Sequence, residues 1–300
     1  MPPSEIYPIQ EFLNYLAFQK RYSKHTIISY QNDLTAFFDF ITLQYNSIAL
    51  DEISASVVRS WLASLKQDKA ASKTVNRKIS TLKSFFKYQL KINKVTFSPM
   101  ASVTSLKVSR RLPSFIEQKD IDTLFKYVDF PKTWEGRTNA LLLMLFYQTG
   151  IRLSELISLK ESQIDKSNGS IKVLGKGNKE RVIPVNNGLL REIDNYIAEK
   201  KVFFKVATGG HLLLNTKGKP LYPKYVYNIV KKYLGDVSTN ERKSPHVLRH
   251  SFATHLTNNG ADINAIKELL GHSSLASTQI YTHNSIEKLK EVHKLSHPKS

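Results

Sequence analysis

TNALLLMLFYQTGIRLSELISLKESQIDKSNGSIKVLGKGNKERVIPV, residues 138–185, changes its period twice. From Thr138 to Gln148 apolar side chains crowd every face, which predicts a buried helix. Gly150 ends it, because glycine past a helix end takes the left-handed conformation without a steric cost. A second helix restarts over Ser154–Lys160. The period then drops to two: Ser170–Leu174 and Arg181–Val185 flank Gly-Lys-Gly-Asn and predict a hairpin. The segment therefore predicts a mainly α fold with a small β-sheet, an α+β arrangement.

The flanks extend this pattern. A short helix is predicted over Glu117–Val128, and further helices over about 187–204, 222–234, 245–259, 262–270 and 285–295. Residues 9–92 read as four amphipathic helices, a helical bundle. They carry Ile9, Phe12, Leu13 and Leu16; then Ile27, Tyr30, Leu34, Phe37, Phe38 and Ile41. Val57, Val58, Trp61, Leu62 and Leu65 follow, and then Val75, Ile79, Leu82, Phe85, Phe86 and Leu90. Ser54 or Ser56 suits the cap of the third helix and Ser72 that of the fourth. Residues 96–114 lose the periodicity and hold two prolines and several basic side chains. The expected division is a helical domain over 1–106, a basic linker over 107–113 and a mixed domain over 114–300.

Charge points to a partner. Lys and Arg number 44 against 25 Asp and Glu, a net of +19. Residues 1–112 carry +9 of this and residues 113–300 carry +10, so the bias is not a detachable tail. A polyanion, nucleic acid or an anionic membrane face, is the expected partner, and nucleic acid is favoured. Lys24, Lys73, Arg77 and Lys78 on the outer faces of the helices, and Lys107, Arg110 and Arg111 in the linker, are the candidate phosphate contacts. The chain has no cysteine, which removes disulfides, thiolate metal sites and a cysteine nucleophile. The longest apolar run, Ala140–Tyr147, is eight residues, whereas a membrane span needs about 20. No secretory signal is visible at the N-terminus, so a soluble cytoplasmic protein is expected, with no membrane partner.

The chemistry-bearing residues lie in short clusters. GIRLSEL (150–156) places Arg152 past the buried helix, with Glu155 three residues on to hold its guanidinium. LGKGNKERVIPV (174–185) puts Lys176 on the hairpin turn. SPHVLRHSFATHL (244–256) puts His246, Arg249 and His250 on neighbouring helical positions, with His255 further along. ELLGHSSLASTQIYTH (268–283) offers His272 and Tyr281. A metal site on His246 and His250 competes with an anion site, but Arg249 beside it would repel a cation. No paired carboxylates accompany the set, which argues against two-metal chemistry. Arginine forks match the oxygens of a phosphoryl centre, and a tyrosine can act as a covalent nucleophile.

Arg152 in GIRLSEL, Lys176 in GKGNKER, His246 and Arg249 in HVLRH, His272 in LLGH and Tyr281 in STQIYTH resemble the tyrosine recombinase (phage integrase) family, in its order. Chain length and the tail after Tyr281 resemble its Xer branch. The resemblance implies a site-specific DNA recombinase that needs no metal, nucleotide or other cofactor. Tyr281 would attack the scissile phosphodiester to form a 3′-phosphotyrosyl link. Arg152 and Arg249 would stabilise the phosphorane, Lys176 would protonate the leaving 5′-oxygen, His246 would act as acid and base, and His272 would bond the phosphate. Glu155 and His250 would support them, and exchange would pass through a Holliday junction. The branch implies a homo-tetramer, or a hetero-tetramer with a paralogue, docked by a helix near Ile286–Lys294. Its role would be chromosome or plasmid dimer resolution, with a DNA translocase as activator. Integration or excision of a mobile element uses the same chemistry and is the alternative. An inactive site-specific DNA binder and a metal-dependent phosphodiesterase are the other classes.

Overall fold

The structure is a computed structural model that describes residues 8–46, 48–108, 114–175, 180–205 and 210–271. The chain divides into two units, Met1–Arg111 and Leu112–Ser300.

In the first unit α1 (Ile9–Asn14) runs into a π-helical turn at Tyr15–Gln19. It is followed by α2 (Lys24–Tyr45), α3 (Ala55–Gln67) and α4 (Ser72–Lys91). Ser23 caps α2 by accepting from the Thr26 amide at 3.3 Å. Ser54 is the N-cap of α3, whereas Ser72 lies one residue inside α4 and Ala71 holds the cap position. The core is aromatic: Phe12 and Phe38 both meet Phe85 edge-on, with centroids 5.4 and 5.5 Å away. Such edge-to-face pairs add about 0.5–1.5 kcal/mol each beyond the area they bury.

One polar cluster joins α2 to α4. Asp33 is buried and accepts from Arg77, from Lys78 Nζ at 2.9 Å and from Thr81 Oγ1 at 3.0 Å. Lys78 also lies over the Trp61 ring, 5.3 Å from its centroid. The aperiodic stretch that begins at residue 96 packs against the bundle as far as Leu106. Met100 and Val103 are buried in the bundle core, and Asn76 both donates to Leu106 O at 2.9 Å and accepts from Leu106 N at 2.8 Å. An amide side chain both donates and accepts, so Asn76 satisfies both backbone groups of one residue in the aperiodic segment.

The second unit opens with α5 (Gln118–Lys126) and α6 (Trp134–Thr149), then α7 (Leu153–Ser158). Strands β1 (Ile164–Asp165), β2 (Ser170–Leu174) and β3 (Glu180–Pro184) form an antiparallel sheet in that order. Helices α8 (Asn187–Phe204), α9 (Pro223–Val237), α10 (Pro245–Asn258) and α11 (Ile263–Leu270) follow. Helix α6 starts four residues earlier than its apolar run, because Thr133 Oγ1 caps it by accepting from the Gly136 amide at 3.2 Å. Its end is fixed by Gly150, at φ 57°, where an added Cβ would lie 2.5 Å from the Phe252 ring. The β1 strand was not expected from the sequence; two residues show no period of their own. In the hairpin Ile171 faces Ile183 and Val173 faces Arg181. Ile171, Val173 and Ile183 join the core around α6, so Arg181 occupies a core-facing register position. The helix expected over 285–295 lies outside the described residues.

Candidate active site

The start of α7 and strand β3 of the second unit meet at one carboxylate, that of Glu155. Arg152 is the N-cap of α7, and its amide donates to Glu155 Oε2 at 2.8 Å. Its guanidinium donates to Glu155 Oε1 at 2.7 Å through Nη1 and to the Gly271 carbonyl through Nη2. The spacing of three residues is that of a capping box, here used to hold a guanidinium as well. Arg249, buried on α10, donates to the Gly150 carbonyl and to the Leu270 carbonyl. The arginines of two separate motifs are thus brought to the C-terminal end of α11.

A third arginine, Arg181, was not singled out in the sequence. It is only 4% exposed. Its Nη1 and Nη2 donate to the two oxygens of Glu155 at 2.7 and 2.8 Å, and its Nε donates to Leu269 O at 2.7 Å. A signal for it was present: alternation along β3 puts Arg181 on the same face as Ile183 and Val185, where a charge has to find a partner.

The electrostatics follow from three guanidiniums around one carboxylate. Burial alone would raise Glu155, but hydrogen bonds and charge from Arg181, then from Arg152, outweigh it and hold the group at about 2. Burial, with the neighbouring Arg152 and Arg181, pushes Arg249 down to about 9. Glu155 is therefore a carboxylate and Arg249 a guanidinium at neutral pH, and three guanidiniums around one carboxylate leave an excess of positive charge that favours an anion. Arg152, with its side chain 30% exposed, is the guanidinium open to solvent. Helix ends leave carbonyls unpaired, and those of Leu269, Leu270 and Gly271 are each taken by a different arginine.

His246 is exposed on α10, three residues before Arg249. His250 is half-buried; burial and then His246 hold its imidazole below the ordinary histidine range. His255 is buried beside Tyr147, whose hydroxyl is 3.1 Å from its Nδ1, away from the arginine cluster. Lys176, His272 and Tyr281 lie outside the described residues. Lys176 belongs to the connection between β2 and β3, and His272 follows directly on Gly271. Among the described residues no three of His, Asp and Glu are grouped to hold a metal ion.

The basic side chains of the first unit divide. Lys24, Lys73 and Lys107 are exposed. Arg77 is 47% exposed with Nη1 on Ser29 Oγ at 2.7 Å and on Asp33, whereas Lys78 is only 12% exposed and tied to Asp33. The expectation of Lys78 as an outer-face cation is corrected by that burial. Arg110 and Arg111 lie outside the described residues. Among the described residues no helix is long and apolar enough to cross a membrane.

Comparison with known proteins gives the family. Residues 114–288 match the phage integrase family, and residues 9–92 match the phage integrase N-terminal SAM-like domain. The chain is 38% identical over 294 residues to a tyrosine recombinase XerC of Listeria innocua, covering 97% of each chain. It is 37% identical over 298 residues to a tyrosine recombinase XerC of Thermodesulfovibrio yellowstonii, covering 97% of this chain and 96% of the relative. The fold is similar to that of a XerH site-specific recombinase in a post-cleavage complex with a palindromic difH substrate. That likeness has a TM-score of 0.71 at 23% identity over 96% of this chain and 83% of the other. With the family model spanning more than half its length and relatives matched end to end, the chain belongs to the phage integrase family, among its tyrosine recombinases.

Proposed function

We propose that the chain is a site-specific recombinase that cuts and rejoins duplex DNA through Tyr281. The Tyr281 oxygen attacks the scissile phosphorus, the bond from phosphorus to the 5′-oxygen breaks, and a 3′-phosphotyrosyl link forms. Lys176 gives its proton to the leaving 5′-oxygen. Arg152 and Arg249 stabilise the charge on the equatorial oxygens of the phosphorane, where preorganised donors act most strongly. His246 exchanges the proton of the nucleophile, with His250 behind it, and His272 bonds the phosphate. Glu155 orients Arg152. A 5′-hydroxyl of the partner strand reverses the step, so the bond energy is conserved and no cofactor enters.

What supports this reading is one arrangement: Arg152 and Arg249, far apart in sequence, converge at the end of α11, directly before His272, in a chain of this family. The relatives named as Xer recombinases support the finer role, resolution of chromosome or plasmid dimers in the cytoplasm. The partners proposed are a duplex recombination site, three further protomers of this chain or a paralogue, and a DNA translocase as activator. Lys24, Lys73, Arg77 and Lys107, with Arg110 and Arg111, are proposed to meet the DNA backbone.

The roles of Lys176 and of the leaving group are tested with a substrate carrying sulfur at the bridging 5′ position. Lys176→Ala slows cleavage of ordinary DNA strongly and cleavage of the phosphorothiolate little, because sulfur leaves without a proton. Equal defects on both substrates would remove Lys176 as the proton donor. Sequencing the junctions formed with candidate sites separates dimer resolution from integration into new loci.

A further inference from the structure

Arg181 has no part in the phosphate chemistry above, yet every kind of nitrogen in its side chain is committed. Nη1 and Nη2 take both oxygens of Glu155, and Nε takes the Leu269 carbonyl. We propose that Arg181 is a positioning residue for strand cleavage: it locks Glu155 in the orientation that aims Arg152, and ties β3 to the end of α11. The proposal rests on the recombinase reading and deepens it.

The bonding of Glu155 carries the argument. An ionised carboxylate has about four acceptor sites. Two are filled by Arg152, through its amide and Nη1, and two by Arg181. No site is left over, so Glu155 has one orientation and Arg152 inherits it. Take Arg181 away and each oxygen of the buried carboxylate loses one of its two partners, so that Arg152 alone holds the group and is itself less firmly aimed.

Packing does not account for an arginine here. The position faces Val173 across the hairpin, beside Ile171 and Ile183, where an apolar side chain would avoid the cost of burying a charge. Burial also keeps Arg181 from reaching a phosphate itself, which separates its role from that of Arg152. The anchor joins the two stretches of sequence that lead into the proposed catalytic residues Lys176 and His272. Strand β3 begins one residue after the connection that carries Lys176, and α11 ends one residue before Gly271 and two before His272. At Gly271, with φ 61°, an added Cβ would stand 3.1 Å from Arg181 Cδ and 3.4 Å from Arg152 Nη1. The two arginines therefore close on the same backbone corner.

The test is single-turnover cleavage of a nicked duplex by the full chain at saturating DNA. Arg181→Lys keeps the charge and loses the two-pronged fork. Cleavage should slow by about tenfold to a hundredfold, the scale that a displacement on the order of 1 Å costs. The dissociation constant for the duplex should stay within about threefold, since a merely unfolded fraction would affect binding and cleavage alike. In a Glu155→Gln background, Arg181→Lys should add less than about a twofold further loss, because both changes break the same link. A rate within about twofold of wild type, or a factor that multiplies in full onto that of Glu155→Gln, overturns the proposal. Arg181→Gln, with one amide donor for Glu155, is judged by the same criteria if the Lys variant does not fold by circular dichroism. Failure of both to fold makes Arg181 a requirement of the fold and overturns a role in cleavage. Tyr281→Phe run alongside keeps the two readings apart. Adducts from that variant sink the assignment of Tyr281 on which the recombinase reading rests, whereas their absence with a fast Arg181→Lys sinks only this inference.

Discussion

The Gly150 carbonyl receives the guanidinium of Arg249, so the residue that terminates α6 also seats the buried arginine of α10. The same glycine needs its left-handed backbone and has the Phe252 ring against its α-carbon. Gly150→Ala should cost about 2–3 kcal/mol of stability, from a strained backbone and an overfilled contact. Denaturant unfolding reads the loss. Cleavage measured well below the midpoint should fall further than stability alone explains, because the seat of Arg249 moves.

Glu155 sets a pH dependence whose sign is fixed by its depressed pKa. The stabilisation is complete above the unfolded value of 4.5 and is lost as pH falls through the folded value of about 2. Glu155→Gln should thus be less stable than wild type by on the order of 3 kcal/mol at neutral pH. That gap should close between pH 4.5 and about 2. Thermal unfolding of both proteins across that window checks it.

Asp33 does for the bundle what Glu155 does for the second unit, holding two cations and the Thr81 hydroxyl from α4. Asp33→Asn leaves Lys78 buried without a counter-charge. A loss of about 3 kcal/mol is expected. It should appear in the unfolding of the first unit, followed by the fluorescence of Trp61, against which Lys78 packs.

The corrected placement of Lys78 predicts a contrast in DNA binding. Log affinity should fall linearly with log salt, and Lys73→Ala should make the slope shallower by about 0.9, one neutralised phosphate. Lys78→Gln should leave the slope unchanged, because Asp33 already neutralises that ammonium. Salt titrations on one duplex compare them.

Where periodicity governs, the sequence was easy to read. Helix α8 runs over 187–204 as its pattern required, and the hairpin lies where the period falls to two. Where a cap or a lone pairing governs, it was not. The polar first turn of α6 is set by Thr133, and the ordered tail to Leu106 by the amide of Asn76. For the site, Arg152, Glu155 and Arg249 were legible because their motifs are local. Arg181 was hidden because its partners are 26 and 88 residues away. Lys78 was misjudged because nothing in α4 announces the buried Asp33 of α2.

The nucleophile is the central claim, and covalent trapping on a nicked duplex tests it most directly. Wild type and Tyr281→Phe are incubated with duplex whose nick lets the freed strand leave, and the products are separated under denaturing conditions. Removing one oxygen changes little packing, so both proteins should bind the duplex equally, with or without EDTA. The wild type should accumulate a protein–DNA adduct through the 3′-phosphate, with a free 5′-hydroxyl on the released strand, and the variant should give none. Adducts that persist in Tyr281→Phe, or that vanish from the wild type when EDTA is added, would contradict the account.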